Sequence, residues 1–258
     1  MAQQLTATSR RLAIFLLGSL RVAYDRTPFE IKLRTATLRL LAVLLLRRER
    51  PLTRDHVAFT LWPDETEETA RTNLRRHLYN LRTALPAVEV PWVRLDSQTI
   101  QWNPEMPLDL DIAEFERLAR AGDAGAIDLY RGDLLESLED EWLFADRERL
   151  RALYIEALWS LAQRSAARRD AATAEHYLQQ LLARDPWRED GLRVLMSLRY
   201  ENGDRSGALR ACSDFEERLR REIGASLMEE TVALRNAITN EAPIQKLPVP
   251  NNLPVRTS

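Results

Sequence analysis

The sequence has a single cysteine, Cys212, so no disulfide can form within the chain. Long apolar runs are also absent. The longest, Leu40–Leu46, is flanked by arginines and falls short of the ~18 residues that a membrane-spanning helix needs. The start of the chain is similar to a signal peptide, but its apolar patch is only about five residues long and no A-x-A cleavage site follows. We therefore predict a cytoplasmic protein with no membrane partner.

Motifs of catalysis are missing as well. The sequence contains no G-x-x-x-x-G-K-[ST] phosphate loop, no G-x-G-x-x-G, no G-x-S-x-G nucleophile elbow and no H-E-x-x-H zinc motif. The three histidines, His56, His77 and His176, do not have the spacing of metal ligands. We therefore predict a protein that is not an enzyme and that uses neither a cofactor nor a metal ion.

The charges that are present are unevenly distributed. Residues 1–102 contain 16 Lys and Arg against 10 Asp and Glu, a balance of +6, whereas the remainder contains 21 against 29, a balance of −8. A basic half within a nearly neutral chain favours a nucleic-acid partner for that half. Chance clustering of surface charge is the alternative explanation.

The basic half has the element order of a winged helix-turn-helix. Three short β-rich runs precede a change to helical periodicity, two further helices follow, and a hairpin ends the segment. Thr53 is a predicted N-cap for the second helix, and Thr66 or Asp64 for the third. The predicted elements are strands Leu12–Leu16, Leu20–Tyr24 and Phe29–Leu33, helices from Thr35, over Arg54–Trp62 and over Thr69–Leu85, and hairpin strands Trp92–Leu95 and Thr99–Trp102.

The third helix, "TARTNLRRHLYNLRTAL", has four arginines, two asparagines and no acid. Its apolar residues form one stripe, and the opposite face is polar. Arginine and asparagine are the side chains that make bidentate contacts with guanine and adenine. A solvated helix face is the alternative, although most such faces mix both signs of charge. The stripe is Ala70, Leu74, Leu78, Leu81 and Leu85, and the polar face is Thr72, Arg76, Tyr79 and Thr83, flanked by Asn73, Arg75, Asn80 and Arg82.

The acidic half contains an internal repeat with a period of 34 residues. The segment "DAATAEHYLQQLL" begins at Asp170, and "DRSGALRACSDFE" begins at Asp204. This period, with a small residue at Ala174 and Ala208, predicts tetratricopeptide-like repeats, whose concave face usually binds protein or peptide. A generic helical bundle is the alternative. Cys212 lies on the apolar stripe of the second unit and is therefore predicted to be a core residue.

Several separated motifs resemble the Streptomyces antibiotic regulatory protein family over roughly residues 11–240. They are "LWPDETEETARTNLRRHLYNLRTAL", "LYRGDLLESLEDEWLFADRERLRALY", "LLARDPWREDGLRVLM" and "GDRSGALRACSDFEERLRREIGAS". The resemblance implies an OmpR/PhoB-like winged helix joined to a bacterial transcriptional activator domain. It also implies an activator that binds direct repeats in double-stranded DNA and recruits RNA polymerase.

The resemblance and the helix phase together give a set of candidate DNA contacts. A single recognition helix has a small reach, so two copies are expected to bind in tandem, in the nucleoid. The alternative is a signalling adaptor whose repeats bind a protein and whose winged helix makes protein contacts. The predicted base contacts are Asn73, Arg75, Arg76, Tyr79 and Asn80, and the predicted phosphate contacts are Thr53, Arg54, Arg71, Thr72 and Arg94.

The sequence thus predicts a mostly α protein in three parts. Residues 1–104 form the winged helix-turn-helix with small β-sheets, and residues 105–241 form the all-α tetratricopeptide-like activator domain. Residues 242–258 form a Pro-rich linker or tail. This tail resembles the linker before the ATPase domain of larger family members, so the chain is expected to be the N-terminal part of a longer regulator. A frayed tail on a complete regulator is the alternative.

Overall fold

This computed structural model describes residues 11–244, which contain ten α-helices and seven short strands. The helices are α1 Thr35–Leu46, α2 Arg54–Leu61, α3 Glu67–Ala84, α4 Asp111–Ala121, α5 Gly125–Leu129, α6 Phe144–Ala167, α7 Ala171–Arg184, α8 Glu189–Glu201, α9 Arg205–Ile223 and α10 Glu229–Thr239, with a 3-10 turn at Glu141–Leu143. The strands are β1 Leu12–Phe15, β2 Arg21–Tyr24, β3 Thr27–Pro28, β4 Leu52–Thr53, β5 Val93–Leu95, β6 Thr99–Trp102 and β7 Leu108–Leu110.

The predicted fold class is confirmed: small sheets lie at the N-terminal end and an all-helical region follows. The first sheet has the order β3-β2-β1-β7, with β1 antiparallel to β2 and parallel to β7. The second sheet has the order β4-β6-β5 and contains the predicted hairpin. Its strand β4 was not predicted, because two residues are too short for an alternating pattern to be recognised.

The third strand predicted at Phe29–Leu33 is wrong. The chain reverses at Asp25 and Arg26, whose φ angles of 50° and 63° form a tight turn, so β3 begins directly after it and pairs with β2 at Thr27–Pro28. The following residues keep an alternation of half-buried and exposed side chains, and the Phe29 N–H still donates to the Val22 carbonyl of β2 at 2.9 Å, but residues 29–33 do not form a strand. The alternating pattern is therefore present in the folded chain, but it does not belong to a strand of the sheet.

Helices α2 and α3 begin where their capping residues predicted. The Thr53 hydroxyl accepts the His56 N–H at 3.3 Å, and the Thr66 hydroxyl accepts the Thr69 N–H at 3.3 Å. Thr66, and not Asp64, is thus the N-cap of α3. The predicted stripe of α3 is buried, with Ala70, Leu74, Leu78 and Leu81 all at most 3% exposed.

A buried carboxylate joins β7 to the end of β1. Asp111, which is 4% exposed, accepts the N–H groups of Leu16 and Leu17 on Oδ2, each at 2.8 Å. Its Oδ1 accepts the Ile112 N–H at 2.8 Å. Burial raises the pKa of this carboxyl, and the three hydrogen bonds oppose that rise. The segment just after residue 104 is therefore tied to the N-terminal sheet.

The chain divides into two compact units. The first contains the residues up to Arg117 together with Asp128–Leu150, and the second contains Leu118–Ile127 and the residues from Arg151. The sequence-based division at residues 104 and 105 stays a prediction about domains. The proline-rich segment predicted at 242–258 lies, from residue 245 onward, outside the described residues.

The second unit contains the predicted 34-residue repeat. Asp170 and Asp204 cap α7 and α9, accepting the N–H groups of Thr173 at 3.2 Å and Gly207 at 2.8 Å. Three of the four repeat-equivalent pairs are buried in both helices, the fourth, Tyr177 with Ala211, is half-buried, and Cys212 is a core residue as predicted. The buried pairs are Ala174 with Ala208, Leu178 with Cys212, and Leu181 with Phe215. Among residues 11–244, no helix has the length and apolar content that crossing a bilayer requires.

Candidate nucleic-acid interface

Helix α3 presents the predicted polar face to solvent. Thr72, Arg75, Arg76 and Tyr79 are exposed, and the Tyr79 side chain is 69% exposed. The two flanking asparagines among the predicted base contacts, Asn73 and Asn80, are half-buried. The five predicted base-contact residues thus share one side of one helix, opposite the buried stripe.

The orientation of α3 is fixed by a histidine whose role was not predicted. His77 is buried, hydrogen-bonds through Nδ1 to the Thr37 hydroxyl at 2.9 Å, and stacks on Trp62 with ring centroids 5.5 Å apart. Burial lowers the pKa of His77, and the nearby charges of Arg76 and Arg34 lower it further. Its position three residues after Leu74 and four before Leu81 places it on the apolar stripe, which was the available sequence signal.

The cations on this face have no carboxylate partners. Arg76 donates to the Asn73 side-chain oxygen at 3.0 Å, which holds its guanidinium along the helix surface. Within residues 11–244, no ion pair involves Arg75, Arg76 or Arg82. The face is therefore a row of guanidinium donors whose charge is not neutralised locally.

A cleft of about 430 Å³ lies beside this face and gathers several predicted phosphate contacts. It opens at the N-terminus of α2, where backbone N–H groups and the helix dipole favour an anion. Thr72 and Arg94 are not part of its lining. The lining residues are Thr53, Arg54, Asp55, Arg71, Leu74, Arg75, Ser97 and Gln98.

The turn of the wing is anchored to the same helix end. Asp96 accepts the N–H groups of Gln98 at 2.7 Å and Thr99 at 2.6 Å, and the Thr99 hydroxyl as well. These hydrogen bonds lower the pKa of Asp96, and the bond from the Thr99 side chain has the largest effect. The Arg54 N–H donates to the Gln98 carbonyl at 2.8 Å, and its guanidinium donates to the Asp96 carbonyl at 3.3 Å. The wing and α2 are therefore held as one surface.

A family model described as the bacterial transcriptional activator domain matches residues 110–239, just over half of the chain. The chain belongs to this family. Among solved structures, it is similar to Mycobacterium tuberculosis EmbR, determined in complex with a low-affinity phosphopeptide. That match has a TM-score of 0.70 and 22% identity, and covers 92% of this chain and 67% of that chain. No curated protein sequence matches this chain. The predicted kinship with antibiotic regulatory proteins, an N-terminal winged helix before an activator domain, is confirmed.

In this family member, two predicted phosphate contacts already have acidic partners. Arg71 donates to both carboxylate oxygens of Asp55, at 2.8 and 2.9 Å, and lies 2.6 Å from Glu67. Arg94 lies 2.6 Å from Glu105. The arginine hydrogen bonds lower the pKa of Asp55 and of Glu105. Sequence reasoning missed these pairs, because Asp55 and Glu105 lie on other elements and Glu67 was interpreted only as an acid at the helix start.

Proposed function

We propose that this transcriptional activator binds double-stranded DNA by placing α3 in the major groove. The observation that supports this best is the exposed face of α3, which has three guanidinium groups without carboxylate partners and no acid between Thr69 and Ala84. In the proposed complex, base edges are contacted by Asn73, Arg75, Arg76, Tyr79 and Asn80. Arginine donating to guanine O6 and N7 is the commonest specific contact of this kind.

The cleft beside α3 would take the DNA backbone. Phosphate contacts fix the register of a protein on the duplex without reading its sequence. A phosphate at the N-terminus of α2 would meet the positive end of the helix dipole, the Arg54 side chain and the wing turn. The proposed phosphate contacts are Thr53, Arg54, Arg71, Thr72 and Arg94, of which Arg71 and Arg94 already pair with acids.

The wider role proposed is recruitment of RNA polymerase by two copies bound in tandem to direct repeats. The family description, a transcriptional activator domain, supports the class of function. The small reach of one recognition helix supports a second copy, because few base pairs are contacted by a single α3. Such a protein would act in the cytoplasm, at the nucleoid.

The first experiment is selection of bound sequences from random DNA with the purified chain, followed by titration of Arg76→Ala on the selected site. Loss of a bidentate base contact should cost ~1–3 kcal/mol and relax the preference at one position. Arg82→Ala is the matched control, because it removes the same charge from the same helix outside the proposed contact set. It should weaken binding to all sequences alike.

Two results would contradict the proposal. Equal losses for Arg76→Ala and Arg82→Ala, with the sequence preference intact, would show that α3 does not read bases through Arg76. Failure of the chain to enrich any sequence, together with retention on heparin that does not depend on salt, would favour the adaptor function instead.

A further inference from the structure

The guanidinium of Arg71 is held between two carboxylates at the mouth of the cleft. Asp55, on α2, takes two parallel hydrogen bonds from Arg71, and Glu67 lies one helical turn before it on α3. The three side chains together have a charge of −1. The charge of Arg71, one of the three arginines that line this cleft, is thus more than neutralised by its two carboxylates.

Holding the fold together does not account for this arrangement. The side chains of Arg71, Asp55 and Glu67 are 42%, 50% and 60% exposed, and ion pairs in such positions contribute little to stability. Helices α2 and α3 pack against each other, and both bury apolar side chains. The buried residues are Val57, Ala58 and Leu61 on α2, and Ala70 and Leu74 on α3.

The same carboxylates oppose an anion in the cleft. Asp55 itself lines the cleft, so a phosphate that reaches Arg71 meets a like charge within the same cavity. Glu67 lies in the first turn of α3, where the helix dipole would otherwise attract a phosphate. A backbone phosphate that contacts Arg71 therefore competes with two carboxylates for its charge.

We propose that Asp55 and Glu67 are positioning residues that act through Arg71 to hold down the affinity of this chain for the DNA backbone. The inference rests on the proposed binding of DNA by α3. The competition between the carboxylates and phosphate is the same on every sequence, so the two acids lower binding to DNA of any sequence. Stable occupancy of a site then requires the base contacts of α3.

The test is the double variant Asp55→Asn/Glu67→Gln, which keeps the shapes of both side chains and releases Arg71. Its affinity for a fluorescently labelled duplex of mixed sequence should rise about 10-fold at low salt. The slope of log affinity against log salt, measured between about 50 and 200 mM, should steepen by about 0.9, the increment for one more neutralised phosphate. The thermal midpoint should stay within a few degrees of the parent.

The matched control is Glu65→Gln/Glu68→Gln, which removes two exposed acids from the same loop and helix start without touching Arg71. The rise in affinity for this control should be smaller than the rise for the test pair by a factor of at least about three. In an Arg71→Ala background, the test pair should lose most of its effect. The single variant Glu67→Gln, which leaves the Asp55 bonds between the helices in place, should move affinity in the same direction by a smaller factor.

The possible outcomes separate the two proposals. If the parent binds the duplex and the test pair binds no tighter than the control, the role of Asp55 and Glu67 is refuted and DNA binding stands. An undiminished effect in the Arg71→Ala background would refute it equally, because the acids would then act by general repulsion. If the parent does not bind DNA at any salt concentration, both proposals fail.

Discussion

Substituting Asp111 by alanine removes the only acceptor that the described residues offer to two buried N–H groups. Leu16 and Leu17 are both 0% exposed, and each donates to Asp111 Oδ2 at 2.8 Å. A buried donor left without a partner costs ~1–3 kcal/mol, so the two together would cost about 2–6 kcal/mol. The raised pKa of Asp111 shows that burying its charge is itself unfavourable, and alanine relieves that cost. We therefore expect a loss of about 2–4 kcal/mol in the free energy of unfolding.

The assay is urea denaturation followed by tryptophan fluorescence. A loss of this size is a large share of the ~5–15 kcal/mol by which domains of this kind are stable. Asp109→Ala is the matched control, because Asp109 lies two residues earlier on β7 and pairs with Arg11 at the exposed surface. It should leave the unfolding midpoint unchanged within error. Equal losses for the two variants would refute the reasoning that the buried N–H groups determine the cost.

Two further predictions concern pH and the DNA site. The pKa of His77 is lowered in the folded chain, so its contribution to stability is complete above pH ~6.5 and is lost as the pH falls toward the folded pKa. Thermal midpoints at several pH values should show this loss in the parent and not in His77→Leu. On tandem half-sites about 10–10.5 base pairs apart, an insertion of about five base pairs should abolish cooperative binding in a gel-shift titration. Unchanged cooperativity would exclude two copies on one face of the duplex.

Local chemistry made much of the fold predictable from the sequence. The caps at Thr53 and Thr66 need only a hydroxyl and the next three residues, and the stripe of α3 needs only helical spacing. Long-range pairing was not predictable in the same way. Strand β7 is three residues long and pairs with β1 at a separation of nearly a hundred residues, and no periodicity marks such a partner.

The candidate site was likewise predictable from the sequence only where local spacing determines it. Which residues of α3 face solvent follows from the stripe, because a buried side fixes its opposite. The charge that this face offers to DNA does not follow, because Asp55 and Glu105 reach Arg71 and Arg94 from other elements. A sequence pattern shows where an arginine lies on its helix. The charge that this arginine can offer to DNA depends on acidic neighbours, which only the tertiary structure places beside it.

The division of the chain into units has a consequence for how such regulators can be recombined. The chain leaves the first unit within α4, returns to it at Asp128 within α5 and leaves it again within α6. A gene fusion with one junction after the wing would combine β1 of one protein with β7 of another. It would also replace the Asp111 that accepts the N–H groups of Leu16 and Leu17 by the residue of the other protein. Exchange of DNA specificity between relatives is therefore expected to succeed when the swapped residues are those up to Arg117 together with Asp128–Leu150, or when α3 alone is grafted. Natural shuffling of this architecture would then leave breakpoints inside α6 more often than at the end of the hairpin.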